Sequence, residues 1–231
     1  MDLPLSLNYM VLSGGISMSK ETLHLMLQLD PKDLETQIAL QCAPLLTGVK
    51  VSNLLTVDRS FRRQVSGLFK GTMISSCILY ESKEKTTFLL YDQSALESYL
   101  AREPVRELMD GFGYKGWDLD EILSYVSVKY EEHMEGISGF PHEIGLLLGY
   151  PPKDVEGFIK NNGRNFLAIG YWKVYEDLPE CRRTFRAYNC ARERLIHMIS
   201  SGTKLHGILK VYHMEQRLSP ASGRTAALDS F

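Results

Sequence analysis

The chain has 231 residues, of which 44% are hydrophobic and 23% charged, and a formal net charge of −2. That length and composition support one large folded domain, or one with a small appendage, and exclude a chain that is disordered throughout. Charge is spread unevenly: residues 1–181 carry 17 basic and 25 acidic side chains, and residues 182–231 carry nine basic and three acidic.

A basic end on an acidic body suits an acidic partner or nucleic acid, and equally a solvated basic face. No apolar run approaches the roughly 20 residues of a membrane span, and the early stretch LPLSLNYMVL lacks the basic start and small-residue cleavage site of a signal peptide. A cytoplasmic location without membrane contact is expected. The four cysteines, Cys42, Cys77, Cys181 and Cys190, form neither a CxxC pair nor a dense disulfide framework, so free thiols in a reducing compartment are the default.

Residues 1–18 look irregular. Ser19 is suited to cap a short helix through Leu29. Asp30 as N-cap and Pro31 at the first helical position then predict a second helix, with Leu34, Ile38 and Cys42 at four-residue spacing and Pro44 as its stop. Val49 to Val57 reads as a strand, and Met73 to Tyr80 with Thr86 to Tyr91, across the charged ESKEK, read as a hairpin. Helices are expected from about Ser94 to Met109 and from Leu119 to about Glu135. The second has a capping box in Asp118 and Glu121, and an apolar face of Leu119, Ile122, Leu123, Val126 and Tyr130.

Phe166 to Tyr175 reads as a strand. Leu178, Cys181, Phe185, Tyr188, Leu195 and Ile199 then recur at helical steps and define a long amphipathic helix. The end, SPASGRTAALDSF, is expected to be a disordered tail. Strands interspersed with helices at uneven spacing predict an α+β fold: a small, mostly antiparallel sheet packed with several helices, including a helical hairpin at about 141–161. The expected organisation is an irregular segment over 1–18, a single α+β domain over 19–200, and a partly disordered extension over 201–231.

Gly111 to Gly116 matches GxGxxG, but a dinucleotide site needs a strand before it, and EPVRELMD looks helical. A helix C-terminus is the better reading. His142-Glu143 cannot begin an HExxH zinc site, because Leu146 stands where the second histidine belongs, and no metal site is expected. Pro141 would place His142 in the first turn of a helix, where the macrodipole favours a neutral imidazole able to act as base or ligand.

Glu143 to Lys160 fits a helix-turn-helix template, with Gly149 as turn glycine, small Gly145 four before it, and Val155 and Phe158 facing inward. Its outer face, including Pro151, Pro152, Lys153, Asp154, Glu156 and Lys160, offers little net positive charge for phosphates. Packing or ligand enclosure is therefore favoured over DNA binding. Cys42 falls at the C-terminal end of its helix, where the dipole opposes thiolate formation, and Lys50 is a candidate compensating cation. Arg182, Arg186, Cys190 and Arg194 share a helix face. Alternation places Tyr171, Lys173 and Tyr175 on one strand face, a lysine between tyrosines that could hold an anionic group or could simply snorkel.

The blocks Cys42-Ala-Pro44, Gly48-Val-Lys50 with Asn53-Leu54, Phe140-Pro-His-Glu-Ile-Gly145, Leu148-Gly-Tyr-Pro151, Asp154-Val155 with Gly157-Phe158-Ile159, and Gly170-Tyr-Trp-Lys-Val-Tyr175 resemble a family of unknown function from clostridia and related anaerobic Firmicutes. The resemblance spans roughly residues 38–200. Val51 departs from the family's pattern, which has proline after the lysine. The resemblance implies a cytoplasmic protein of an anaerobe and supplies no reaction or cofactor.

The leading expectation is an accessory protein that binds a small molecule or cofactor through Lys50, His142, Glu143, Tyr150, Trp172 and Lys173. One alternative is a helix-turn-helix DNA-binding regulator. Another is a thiol-dependent enzyme with Cys42 as nucleophile and His142 as base. Arg182, Arg183, Arg186 and Arg194 are the candidate contacts for an acidic protein partner.

Overall fold

The computed structural model describes residues 18–218. The chain divides into two compact units. A terminal unit combines residues up to Val49 with those from Gly157 onward, and a central unit comprises Lys50–Glu156. Among the described residues, ten α-helices accompany a three-stranded antiparallel sheet and a two-stranded antiparallel sheet, so the fold is α+β. The expected tail lies beyond the described residues.

In the central unit, β1 (Ser52–Asp58), β2 (Ile74–Glu81) and β3 (Lys85–Asp92) pair in the order β1-β3-β2. The register runs from Ser52 opposite Tyr91 to Asp58 opposite Lys85, and Ile74 lies opposite Asp92. Central strand β3 is buried continuously from Thr86 to Tyr91, in keeping with the unbroken apolar run FLLY at its end. A short helix α3 (Arg62–Leu68) links β1 to β2.

The helix expected over Ser94 to Met109 is two helices, α4 (Gln93–Leu100) and α5 (Glu103–Gly111). Pro104 explains the break: it has no N–H for the carbonyl of Leu100, so it is accommodated in the first turn of a new helix behind an extended Arg102. Helix α6 (Leu119–Met134) starts at the expected capping box, with Asp118 accepting from the Glu121 amide and Glu121 from the Asp118 amide, both at 2.9 Å. Its Leu119, Ile122, Leu123 and Val126 are buried, and the helix packs on β2.

The expected helical hairpin is present with a very short first arm, α7 (Ile144–Leu147), followed by α8 (Pro152–Lys160). Gly149 turns the chain at φ 72°, and a Cβ on Gly145 would lie 2.9 Å from Val155 Cγ2. Only glycine permits so close a crossing.

In the terminal unit, Ser19 caps α1 (Lys20–Gln28) by accepting from the Thr22 amide at 3.0 Å. Helix α2 spans Leu34–Leu46, and its cap is Asp33 rather than Asp30. Asp30 instead accepts from the Lys32 amide and closes a turn, so the acid nearest the proline is not the one that meets the helix. Pro44 lies inside the last turn of α2 and does not stop it at that residue. So near the end, the missing N–H removes a single helical bond.

The strand expected over Phe166 to Tyr175 is a tight hairpin, β4 (Ala168–Ile169) with β5 (Lys173–Val174), pairing Ala168 with Val174 and Ile169 with Lys173. The chain reverses at Gly170, where a Cβ would lie 2.3 Å from Phe185 Cε2. Helix α9 (Leu178–Ser200) buries Cys181, Phe185, Tyr188, Leu195 and Ile196 and packs on α1 and α2. Residues 205–218 of the expected extension form α10 (Leu205–Leu218). Burial of Leu205, Ile208 and Leu209 contributes about 1.5–3 kcal/mol per side chain, and the Leu205 amide donates to Glu35 Oε2 at 2.7 Å.

Candidate functional site

In the central unit, a buried carboxylate sits under exposed aromatic rings. Glu143 opens α7 and is 1% exposed. The α7 segment is anchored on either side, because the Ser52 hydroxyl donates to the Leu147 carbonyl at 2.5 Å and the Tyr99 hydroxyl to the Tyr150 carbonyl at 2.6 Å. Held there, Glu143 Oε1 accepts from the Tyr114 hydroxyl at 2.6 Å and pairs with Lys129 Nζ from α6. Burial, and then donation to Glu143, push the Tyr114 hydroxyl far above the ordinary phenolic pKa. Tyr114 is thus a fixed donor.

Lys129 Nζ also lies 5.7 Å from the Tyr114 ring centroid and 5.8 Å from that of Tyr125. Tyr114, Trp117 and Tyr125 meet edge to face with centroids 5.3 to 6.0 Å apart. Next to Glu143 in the chain, His142 has its ring 5.8 Å from Phe140, which also contacts Tyr130 and His133. Burial lowers the His142 pKa, with Glu143 opposing and Lys129 adding to the shift. His142 is therefore a neutral donor or acceptor near pH 7. Contacts run from Trp117 through Tyr125 and Lys129 to Glu143, its chain neighbour His142 meets Phe140, and Trp117, Tyr125 and Phe140 are 40%, 49% and 43% exposed.

Lys50 and Tyr150 come together in the same unit, with the ammonium 5.4 Å from the ring centroid. Lys50 is buried, and desolvation pushes the Tyr150 hydroxyl up to about 12.

The other expected site residues belong to the terminal unit. Cys42 is fully buried in the second half of α2. Trp172 packs its ring on Phe185 at 4.5 Å and on Tyr188 at 6.4 Å, which is a core role. Lys173 donates to the Gly163 carbonyl at 2.8 Å between the rings of Phe158 and Phe166, 5.5 and 5.2 Å away. Arg182, Arg183, Arg186 and Arg194 are exposed along α9 with Cys190, and Arg183 pairs with Glu180.

Gly113 and Gly116 have φ of 98° and 80° just after α5, so GxGxxG here is a helix ending and its link. Lys129, Tyr114, Trp117 and Tyr125 were not singled out from sequence. The available signal was Lys129 four residues after Tyr125 on a helix whose apolar face leaves both at its edge.

A second buried cation, Arg192, also escaped the sequence reading, although it stands four residues after Tyr188 and seven after Phe185 on the apolar face of α9. It donates from Nη2 to the Tyr171 hydroxyl at 2.9 Å, and that hydroxyl donates to Asn189 Oδ1 at 3.0 Å.

The chain is thus an α+β protein whose central unit holds a part-buried ion pair beside exposed aromatic rings. A family model described as "Protein of unknown function (DUF3793)" matches residues 38–209, and the chain belongs to that family. No curated protein and no solved structure matches it. No helix among the described residues is long and apolar enough to cross a membrane.

Proposed function

We propose that this is a cytoplasmic accessory protein that binds a small planar molecule over the Lys129–Glu143 pair. The observation that carries this reading is the set of half-exposed rings, Trp117, Tyr125 and Phe140, gathered near a buried carboxylate, its ammonium partner and a neutral imidazole. Apolar walls with a few fixed polar groups are the usual make-up of a ligand site. The ion pair is internally neutral and His142 is uncharged near pH 7, so the surface suits a ligand with little net charge at its contacting edge.

Trp117 is exposed whereas the other tryptophan, Trp172, is buried, so collisional quenching by acrylamide reports mainly on Trp117. The natively purified protein should carry a small molecule detectable by native mass spectrometry. Its removal should raise Trp117 quenching, and the Trp117→Ala/Tyr125→Ala variant should not retain it. A protein that carries nothing, with quenching unchanged by a small-molecule extract of the host, overturns the reading.

A second reading concerns α9, where Arg183 alone of the four exposed arginines meets an acid among the described residues. This supports docking of an acidic protein, in which case neutralising Arg182, Arg186 and Arg194 should abolish salt-sensitive retention on an acidic protein column. Retention on duplex DNA lost in the same variant would favour the nucleic-acid alternative instead.

A further inference from the structure

Among the described residues, the guanidinium of Arg192 is the one buried cation with an enclosed donor that has no hydrogen-bond partner. Arg192 is 4% exposed on the apolar face of α9, and its Nε is enclosed with no hydrogen-bond partner among the described residues. A guanidinium stays charged at any pH at which a protein folds, and a buried charge without a counter-charge is strongly unfavourable.

The groups that touch it supply no charge. Tyr171 places its ring 5.5 Å under the guanidinium carbon and accepts from Nη2, while its own proton goes to Asn189 Oδ1. Burial raises the Tyr171 pKa, which keeps the phenol neutral. Asn189 is an amide, and no carboxylate pairs with Arg192 among the described residues.

We infer that Arg192 and Asn189 form an oxyanion site in the terminal unit, one that takes a carboxylate or phosphate group independently of the aromatic site on the central unit. Two donors are available. Arg192 offers the unpartnered Nε–H, and Asn189, whose Oδ1 accepts from Tyr171, offers its Nδ2 amide. The two residues are three apart on α9 and therefore share a face, and a planar oxyanion with two oxygens can accept from both.

Aromatic rings bound the site: the Tyr171 ring lies 4.9 Å from Tyr188 and 5.7 Å from Phe185. Tyr171 itself rides on the turn of a hairpin with two paired residues per strand.

The test is a titration of the full chain followed by ¹⁵N-detected NMR of arginine Nε–H groups, the Arg192 cross-peak being assigned by its loss in Arg192→Lys. Sodium phosphate and sodium acetate are added separately at constant ionic strength, with sodium chloride as control. A saturable downfield shift of the Arg192 peak is expected. A response to phosphate alone assigns a phosphate group, to acetate alone a carboxylate, and to both an oxyanion of either kind. No saturable shift with either anion overturns the inference.

Asn189→Asp places a carboxylate beside the guanidinium and keeps the shape of the side chain. It should raise thermal stability and weaken anion binding by about tenfold or more, the loss of one charge-assisted hydrogen bond. Unchanged anion affinity in Asn189→Asp overturns the inference even if Arg192→Lys does not fold.

Discussion

Replacing Lys129 by methionine tests whether the Glu143 carboxylate is truly enclosed. The side chain of Glu143 is 2% exposed and that of Lys129 is 30% exposed. Methionine retains the stem of lysine but leaves the carboxylate with Tyr114 alone. Stripping one partner from a fully buried pair costs about 3–5 kcal/mol, and the partial exposure of Lys129 reduces this to about 2–3 kcal/mol, since water screens part of the lost attraction. For a chain of this length that is a fall in Tm of about 5–10 °C.

Glu143→Gln in the same background removes the unpaired charge and still accepts from Tyr114, so it should recover more than half of the loss. Urea denaturation of the parent, both single variants and the double variant, followed by tryptophan fluorescence, gives the coupling between the two positions. A cost below about 0.5 kcal/mol for Lys129→Met, or strictly additive variants, would refute the enclosure argument.

Gly170→Ala would bring a Cβ to 2.3 Å from Phe185 Cε2 and should cost about 1–3 kcal/mol, partly restored by Phe185→Leu in the same chain; a neutral Gly170→Ala would mean the turn does not pack there. Burial holds the His142 imidazole below its ordinary pKa, so the unfolded chain binds the proton first as pH falls. The associated stability is complete above about pH 6.5 and is lost as pH falls through the folded value. His142→Gln should therefore lose less stability than the parent between pH 7.5 and pH 5, and equal losses in urea midpoint would contradict the assignment. Exposed Cys190 should react quickly with iodoacetamide, whereas Cys42 and Cys181, 0% and 2% exposed, should react only on unfolding. Fast labelling of Cys42 would revive the thiol-enzyme alternative.

Local rules read most of the helices well because each depends on residues within a turn or two. The Asp118–Glu121 box, the Ser19 cap and the apolar spacing from Leu178 to Ile199 all describe interactions closed inside one segment. The close crossing at Gly145 was also legible, since a small residue four before a turn glycine has few other uses. Errors fell where two local signals competed. Asp30-Pro31 and Asp33 both offer a helix start, and the one that caps is fixed by where α2 packs. Phe166 to Tyr175 has the composition of a strand, and only the ring of Phe185, brought from α9, makes Gly170 a reversal point.

Charged side chains were harder to read, for a reason that Arg192 makes concrete. A helical step of about 100° per residue places Arg182, Arg183, Arg186 and Arg194 on one side of α9, and the basic row was read from that period. The same period places Arg192 nearly opposite, among Cys181, Phe185, Tyr188 and Leu195. Composition groups the five arginines together; geometry separates the fifth. An arginine inside an apolar stripe needs either a partner from elsewhere in the fold or one from outside the chain, and no pattern local to α9 distinguishes these. The partners that α9 and the hairpin supply, a phenol and an amide, leave the positive charge standing, and that is why the missing counter-charge is sought in a ligand.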